Sequence, residues 1–275
     1  MLIMRKLCLL WALLACCAQA QDTLRLHVVE DVLTVGVGAT YVTDEYLSAL
    51  PYAGVSFNID NEWWQPFRRQ TAWTHVGELR LTSGRFSNAR GSNALVGFGA
   101  RGGWGAHYNY KPVAGLTVLA GVLLEADYYG RVLSKSVNKP YSMDLALALN
   151  LSAGIAYTFE AKHSAYRLRY MVRTPFAGCM FVPEMGQSYY EMASSLQGTA
   201  HFASFHNRLA LLHELTLDLR FARSTWRIGV AHDFLRVSAN HLTAGREQVR
   251  LVVGTVFNQS LFGGRNRPEQ CQSVW

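Results

Sequence analysis

One pair of side chains has the types and the spacing needed for nucleophilic catalysis. Ser204 and His206 are two positions apart, so both side chains lie on the same face of a strand. Serine hydrolases use a histidine to take the serine proton and a third polar group to orient the imidazole. The nearest polar group is Asn207, which points to the opposite face of a regular strand. We therefore expect Ser204 and His206 to form hydrogen bonds, and we expect no enzymatic activity.

Two other patterns resemble cofactor sites but lack the necessary context. Residues 97–102 read G-x-G-x-x-G, yet the sequence continues as a strand instead of opening the helix that a dinucleotide site requires. His201, His206 and His213 lie close together in the sequence, without the carboxylate or thiolate that usually completes a zinc site. We therefore expect neither a cofactor nor a metal ion.

A larger group of charged residues alternates with apolar residues along several segments. If the apolar face meets lipid, the charged side chains point into an enclosed interior, where they must pair or stay hydrated. Arginine and carboxylate side chains can satisfy one another there, although a polar ligand or substrate pocket is an alternative. The predicted lumen residues are Glu125, Asp127, Asp144, Arg167, Arg169, Arg173, Glu214, Asp218, Arg220, Arg227, Asp233 and Arg250, and the same alternation adds Glu160.

The segments that carry these charges are typical of long two-faced strands. Residues 143–160 alternate between large apolar side chains and small or polar ones without interruption. A strand of a globular protein has about 5–6 residues, whereas a strand that crosses a membrane needs about 9–11. The same alternation recurs, clearly or less clearly, in 31–43, 51–60, 72–86, 93–109, 115–129, 166–174, 209–222, 226–234 and 248–258.

These strands predict an all-β fold, a single antiparallel transmembrane β-barrel. Ten strands are clear, one or two more are uncertain near 177–197, and bacterial barrels favour even numbers, so we predict about 12 strands within a range of 10–12. The predicted turns are at 88–91, 111–112, 138–140, 162–163 and 223–224. A soluble β-sandwich or a lipocalin-like barrel is the alternative.

The composition supports a membrane barrel. The 275 residues are 50% hydrophobic and 12% aromatic but only 16% charged, against about 25% in ordinary soluble domains. Such a chain is not disordered, and beyond residue 20 it has no apolar run of about 20 residues that could form a membrane helix. The net charge of +7 comes mainly from arginines that alternate along strands, which argues against nucleic acid and leaves outer-membrane lipid as the expected partner.

The first 20 residues have the pattern of a secretory signal peptide. Arg5 and Lys6 precede an apolar stretch over 7–15, and residues 18–20 form an A-x-A cleavage site, so Gln21 would begin the mature chain. A lipoprotein processed at Cys16 and an uncleaved anchor are the alternatives. We predict one barrel domain over residues 21–275 and export to the outer membrane.

Four segments carry a resemblance to a known family. They are residues 46–54 (YLSALPYAG), 181–191 (FVPEMGQSYYE), 204–207 (SFHN) and 215–218 (LTLD). They resemble a family of outer-membrane proteins of Gram-negative Bacteroidota that is known only as a domain of unknown function, over nearly the whole mature chain. Arg208 stands where we expect Gln after the His-Asn pair. The resemblance implies a location and a fold, but no chemistry.

The sequence therefore predicts an outer-membrane barrel with a structural, transport-related or accessory role and a lumen filled by arginines and carboxylates. Two alternatives from other classes remain open at this point. One is a membrane-embedded lipid hydrolase that uses Ser204 and His206, and the other is a soluble periplasmic barrel that binds a ligand.

Overall fold

The structure is a computed structural model, and it describes residues 28–67, 72–135, 140–161, 164–184, 198–221 and 224–260. The predicted signal peptide over 1–20, its cleavage point at Gln21 and the alternative lipidation site Cys16 lie outside the described residues. The turn predicted at 162–163 also lies outside them, as do residues 138–139 of another predicted turn and Arg223 of a third.

Every element of the described chain is a β-strand, and most strands are long. Long alternating segments rich in β-branched and aromatic residues favour this state. Within the described ranges, no helix is long and apolar enough to cross a membrane. The strands are β1 (Val28–Asp44), β2 (Ser48–Pro66), β3 (Trp73–Ser87), β4 (Ala94–Val113), β5 (Leu116–Leu133), β6 (Tyr141–Ala161), β7 (Ser164–Phe181), β8 (Ala200–Ser204), β9 (Arg208–Arg220), β10 (Thr225–Ala239) and β11 (Leu242–Ser260).

The strands close into a barrel of ten, with β8 outside the ring. Neighbours pair antiparallel from β1 to β7, then β7 pairs with β9, and β11 returns to β1. The all-β antiparallel barrel that the sequence predicts is therefore present. The prediction of about 12 strands is too high, and ten is the lower limit of the predicted range.

The one or two uncertain strands predicted near 177–197 fall partly on residues 185–197, which lie outside the described residues. Residues 177–181 of this segment continue β7 and do not begin a new strand. The short strand β8 pairs with Ala177–Phe181, while β9 pairs with the preceding part of β7, Ala165–Arg173. The strands β8 and β9 therefore share one edge of β7, separated only by the turn at 205–207.

Two predicted turns have different outcomes. The turn after β3 is confirmed, because the Asn88 side chain accepts hydrogen bonds from the backbone amides of Ser92 and Asn93. The turn predicted at Lys111 and Pro112 is wrong, because both residues belong to β4. The pairing of β4 with β5 shifts register between Tyr110 and Val113, and such an irregularity accommodates a proline that cannot donate to the ladder.

The two faces of each strand have opposite character. On β6, Leu147, Leu149 and Leu151 point outward and are each at least 40% exposed, whereas Asn150 and Ser152 point inward and are buried. The outward faces of the other strands are likewise mainly aliphatic and aromatic. An apolar surface this extensive far exceeds the patches that soluble monomers expose.

Three buried apolar clusters lie inside the barrel, close to its ends. We call the end that holds Val28 and Ser260 the terminal end, and the opposite end the distal end. The cluster at the terminal end contains Trp64, Val76, Leu119, Leu123, Ala156 and Met171. Two clusters lie at the distal end. One contains Ala146, Met180, Val182, Ala203, Leu235 and Val237. The other contains Val42, Tyr52, Phe86, Leu95 and Leu133. Charged side chains fill much of the interior between these ends.

Candidate functional site: the charged lumen

The charged group nearest the terminal end connects β1, β7, β9 and β10. Arg227 binds Asp218 through Nε at 2.6 Å and Nη2 at 2.9 Å. Arg167 also binds Asp218, at 2.5 Å, and reaches Glu30 at 2.6 Å. Because Asp218 accepts hydrogen bonds from both arginines, its carboxylate joins two parts of the barrel wall. Such charge-assisted bonds are the strongest polar contacts that side chains make.

Arg169 connects this group to the adjacent apolar cluster. Its Nη2 atom lies 2.7 Å from Glu62 and 3.4 Å from Glu214. The guanidinium carbon also lies 5.3 Å from the centre of a Trp64 ring, within the range of a cation–π contact. The Arg169 side chain is 1% exposed, so its charge is compensated almost entirely by other side chains.

Two arginines in the middle of the barrel share one carboxylate. Arg101 lies 2.9 Å from Asp233 and 3.5 Å from both Asp127 and Glu125. Arg173 forms a short ion pair with Glu78 and also approaches Glu125 at 3.5 Å. The shared Glu125 therefore joins β4, β5 and β7 at the centre of the lumen.

Among the lumen arginines that the structure describes, Arg250 has the most distant carboxylate partner. The Nε atom of Arg250 is 4.0 Å from Asp60, which forms a closer ion pair with Arg80. Arg250 also donates a long hydrogen bond of 3.4 Å to Gln248, while its buried Nε and Nη2 atoms have no hydrogen-bond partner among the described residues. Burying a charge with so few partners is costly, so the surrounding network must hold it in place.

At the distal end, a single arginine binds two carboxylates. Arg131 forms short ion pairs with Asp44 and Asp144, and its Nη1 atom donates to the Ser142 hydroxyl at 3.0 Å. The side chain of Arg131 is 1% exposed. Because its three partners come from β1 and β6, this arginine spans the interior.

Three cavities within this network are small. Their volumes are about 40, 20 and 10 Å³. A cavity measured in this way needs about 10–15 Å³ to hold one water. The three cavities therefore have room for between one and about three waters each. In these three cavities, the charged side chains leave no space for a ligand the size of a sugar.

Most of the predicted lumen residues lie in this network. Two charged residues predicted to point inward are instead exposed, because Arg220 lies at the last position of β9 and Glu160 near the end of β6. The residues that the structure brings together in the lumen are Glu125, Asp127, Asp144, Arg167, Arg169, Arg173, Glu214, Asp218, Arg227, Asp233 and Arg250.

The sequence prediction missed many members of the network. A usable signal was present on β3, where Glu78 and Arg80 alternate with Leu79 and Leu81. Glycines and alanines obscured a similar signal around Arg101 on β4. The missed residues are Glu30, Asp44, Asp60, Glu62, Glu78, Arg80, Arg101, Arg131, Arg208 and Arg246.

The Ser204 and His206 pair lies outside the lumen. Ser204 Oγ is 2.5 Å from His206 Nδ1, close to the turn that separates β8 from β9. The Asn207 side chain accepts from the Ser204 backbone amide at 2.9 Å and donates to the Phe202 carbonyl at 2.7 Å. Since both polar atoms of Asn207 bind the turn, Asn207 does not orient the imidazole.

The cofactor-like patterns fall on separate surfaces. His213 is on the outward face of β9, whereas His201 is on the inward face of β8, so the two histidines do not converge. Among the residues that the structure describes, no group of three or more potential ligands could hold a metal ion. Residues 97–102 lie wholly within β4.

Together, the closed antiparallel ring, the apolar outer wall and the charged lumen define a protein with the fold of an outer-membrane β-barrel. A family model, "Protein of unknown function (DUF3316)", matches residues 4–266, and the chain belongs to this family. No curated protein matches the chain.

Several solved structures are similar to this barrel. The outer membrane protease OmpT from Escherichia coli matches with a TM-score of 0.51 and 6% identity, over 88% of this chain and 100% of OmpT. The transport unit of the autotransporter AIDA-I from Escherichia coli has a TM-score of 0.44 and 8% identity, covering 87% of this chain and 92% of that one. At this low identity, the similarity to OmpT shows a common fold.

Proposed function

We propose that this protein spans the outer membrane as a barrel whose lumen is closed by its own side chains, and that its role there is structural or accessory. The observation that carries the proposal is the chain of arginine–carboxylate contacts that crosses the interior, with cavities of only about 10 to 40 Å³ among them. A transport-related role would require these contacts to separate.

The apolar wall supports the membrane location. Outward-facing Leu147, Leu149 and Leu151 would lose contact with water in a bilayer. Removing each apolar side chain from water contributes favourably to the free energy of insertion. Aromatic residues such as Trp73 and Tyr108 cluster near the terminal end of the wall, where interfacial girdles occur in outer-membrane barrels. The similarity to an outer membrane protease is in keeping with this location.

The remaining expectations from the sequence are part of the same proposal. They are a signal peptide over residues 1–20, a Gram-negative host of the Bacteroidota, and outer-membrane lipid as the surrounding partner. We propose no binding of nucleic acid, because the buried arginines already face carboxylates in the lumen. The hydrolase alternative is not favoured, since Asn207 is occupied by the turn.

Conductance across a planar bilayer tests the closed lumen. We expect the purified protein, shown to be folded by its heat-modifiable migration in gels, to insert without producing stable current steps. A porin in the same bilayers serves as the positive control. A variant with the central pairs removed, Arg173→Ser/Glu78→Ser/Arg101→Ser/Asp233→Ser, is expected to conduct if it folds. Stable, ohmic steps from the wild-type protein would overturn the proposal.

A further inference from the structure

A row of polar side chains crosses the outer wall on four strands that are neighbours in the ring. The hydroxyl of Tyr170 on β7 lies 2.8 Å from Nδ1 of His213 on β9. The rings of His213 and His232, on β10, are stacked with centres 6.0 Å apart and planes 10° apart. His232 Nε2 lies 3.1 Å from Glu247 on β11. We call these four residues the wall row.

The wall row interrupts an apolar surface. On β9, outward-facing Leu211 and Leu215 flank His213, and on β10, Val230 and Phe234 flank His232. Polar groups that face hydrocarbon are costly unless they find partners. The two imidazoles therefore have an energetic reason to be covered by something other than lipid.

Each imidazole uses one of its nitrogens within the wall row. A carboxylate only accepts, so Nε2 of His232 donates to Glu247 and its Nδ1 atom is left as an acceptor. We assign the Tyr170 hydroxyl as donor to Nδ1 of His213, which leaves Nε2 of His213 carrying a hydrogen. The wall row thus presents one unused donor and one unused acceptor, on neighbouring strands.

The surface at the wall row also carries a negative and a positive side chain, just as the wall row has one unused donor and one unused acceptor. Glu247 has a half-exposed side chain, and Arg236 lies on the outward face of β10, exposed and without an ion pair in the described part of the chain. In a two-fold dimer, the same surface patch of each protomer faces the other. That patch must therefore carry both the donor and the acceptor of each hydrogen bond, and both the cation and the anion of each ion pair. An anionic lipid headgroup would need donors and cations alone, and Glu247 would repel it.

We propose that the wall formed by β9, β10 and β11 is the interface with a second copy of this chain, paired about a two-fold axis. Nε2 of His213 in each protomer donates to Nδ1 of His232 in the other, and Arg236 faces the partner's Glu247. The inference rests on the proposed membrane location, because only lipid makes the exposed imidazoles so unfavourable. On the opposite wall, β4 presents the small residues Ala100 and Gly102.

Disulfide cross-linking in native membranes tests the proposal. In a Cys179→Ser/Cys271→Ser background, Val230→Cys lies beside His232, and Ala100→Cys on the opposite wall is the matched control. We expect cross-linked homodimers with Val230→Cys and monomers with Ala100→Cys. Adding His213→Leu/His232→Leu to Val230→Cys should weaken dimerisation about tenfold, because two membrane hydrogen bonds are lost, without changing heat-modifiable migration.

Three results would overturn the dimer. They are monomers with Val230→Cys, an adduct with a different protein in place of the homodimer, and a monomer that retains lipid in native mass spectrometry. Fluorescence quenching by brominated lipid distinguishes a barrel that is in the membrane but monomeric from a protein that is not in the membrane. In a dimer, a fluorophore at position 100 is quenched and one at 230 is shielded. If only the dimer is wrong, both are quenched, and if the barrel is not in lipid, neither is.

Discussion

Arg227 on β10 and Asp218 on β9 are directly opposite each other in the strand register, joined by two hydrogen bonds of 2.6 and 2.9 Å. The residues are 1% and 3% exposed. The two-pronged geometry fixes the guanidinium plane against the carboxylate, which gives orientation as well as attraction. This pair therefore reports on the energetics of the charged lumen.

Asp218→Asn is expected to destabilise the barrel by about 3 kcal/mol, because it leaves buried Arg227 and partly buried Arg167 with one carboxylate fewer. Urea unfolding in lipid vesicles, followed by tryptophan fluorescence, measures this change. Arg220→Ala is the matched control on the same strand, since Arg220 is exposed and its loss should change stability by no more than about 0.5 kcal/mol. Equal effects of the two variants would contradict the buried network.

The double variant Asp218→Leu/Arg227→Met tests whether the two charges act as a pair. Replacing both by apolar side chains removes the two partners together, so the cost should fall at least about 1 kcal/mol below the sum of the two single replacements, even though Arg167 still loses Asp218. The same unfolding assay gives all three values. Additive effects would show that the hydrogen bonds between them contribute no coupling.

The outer wall should tolerate charge only near its edges. Leu151 is 43% exposed in the middle of the outward face of β6, and Phe159 is 38% exposed near its terminal end. We expect Leu151→Arg to cost about 2–4 kcal/mol and Phe159→Arg about 0–1 kcal/mol, because the cost of charge depends on depth in the bilayer. Reversible folding into vesicles measures both. A similar cost at the two depths would argue against lipid contact.

The protein is expected to have no hydrolase activity that depends on Ser204. Ser204 Oγ contacts Nδ1 of His206, while Asn207 is held by the turn and cannot orient the ring as a third catalytic group does. The refolded protein should show no phospholipase or esterase turnover, and Ser204 should not react with a fluorophosphonate. Labelling of Ser204 that is lost in His206→Ala would reverse this conclusion.

Processing of the chain is expected to leave Gln21 at the mature N-terminus, because Ala18 and Ala20 provide the small residues that signal peptidase selects. N-terminal sequencing of protein from the membrane fraction tests this prediction. A diacylglycerol group on Cys16 would instead identify a lipoprotein.

The strands were predictable where their alternation is regular. The segment 143–160 corresponds closely to β6, because exposed and buried side chains alternate without interruption from Leu145 to Tyr157. The predicted number of strands was wrong where the alternation of apolar and polar residues is interrupted. Relative to β6, the strand β7 shifts register between Pro175 and Ala177, and the turn at 205–207 divides β8 from β9. Local irregularities of this kind leave little trace in hydrophobic periodicity.

The existence of a charged lumen was predictable, but its partners were not. Alternation alone placed Arg167 and Asp218 on the inward face. Arg167 also reaches Glu30, which is 137 positions away in the sequence. This contact depends on the closure of the ring between β11 and β1. A strand pattern carries no information on which distant strand supplies the partner. Glu30 itself lies just before the segment in which we recognised alternation.

The most direct test of the barrel is residue-by-residue lipid accessibility along β6. Single cysteines at Leu149, Asn150, Leu151 and Ser152 would carry a small fluorophore in a Cys179→Ser/Cys271→Ser background, reconstituted with brominated lipid. The structure predicts strong quenching at 149 and 151 and little at 150 and 152, because the side chains alternate between wall and lumen. Uniform quenching, or none at any of the four positions, would contradict a membrane-spanning barrel with a charged interior.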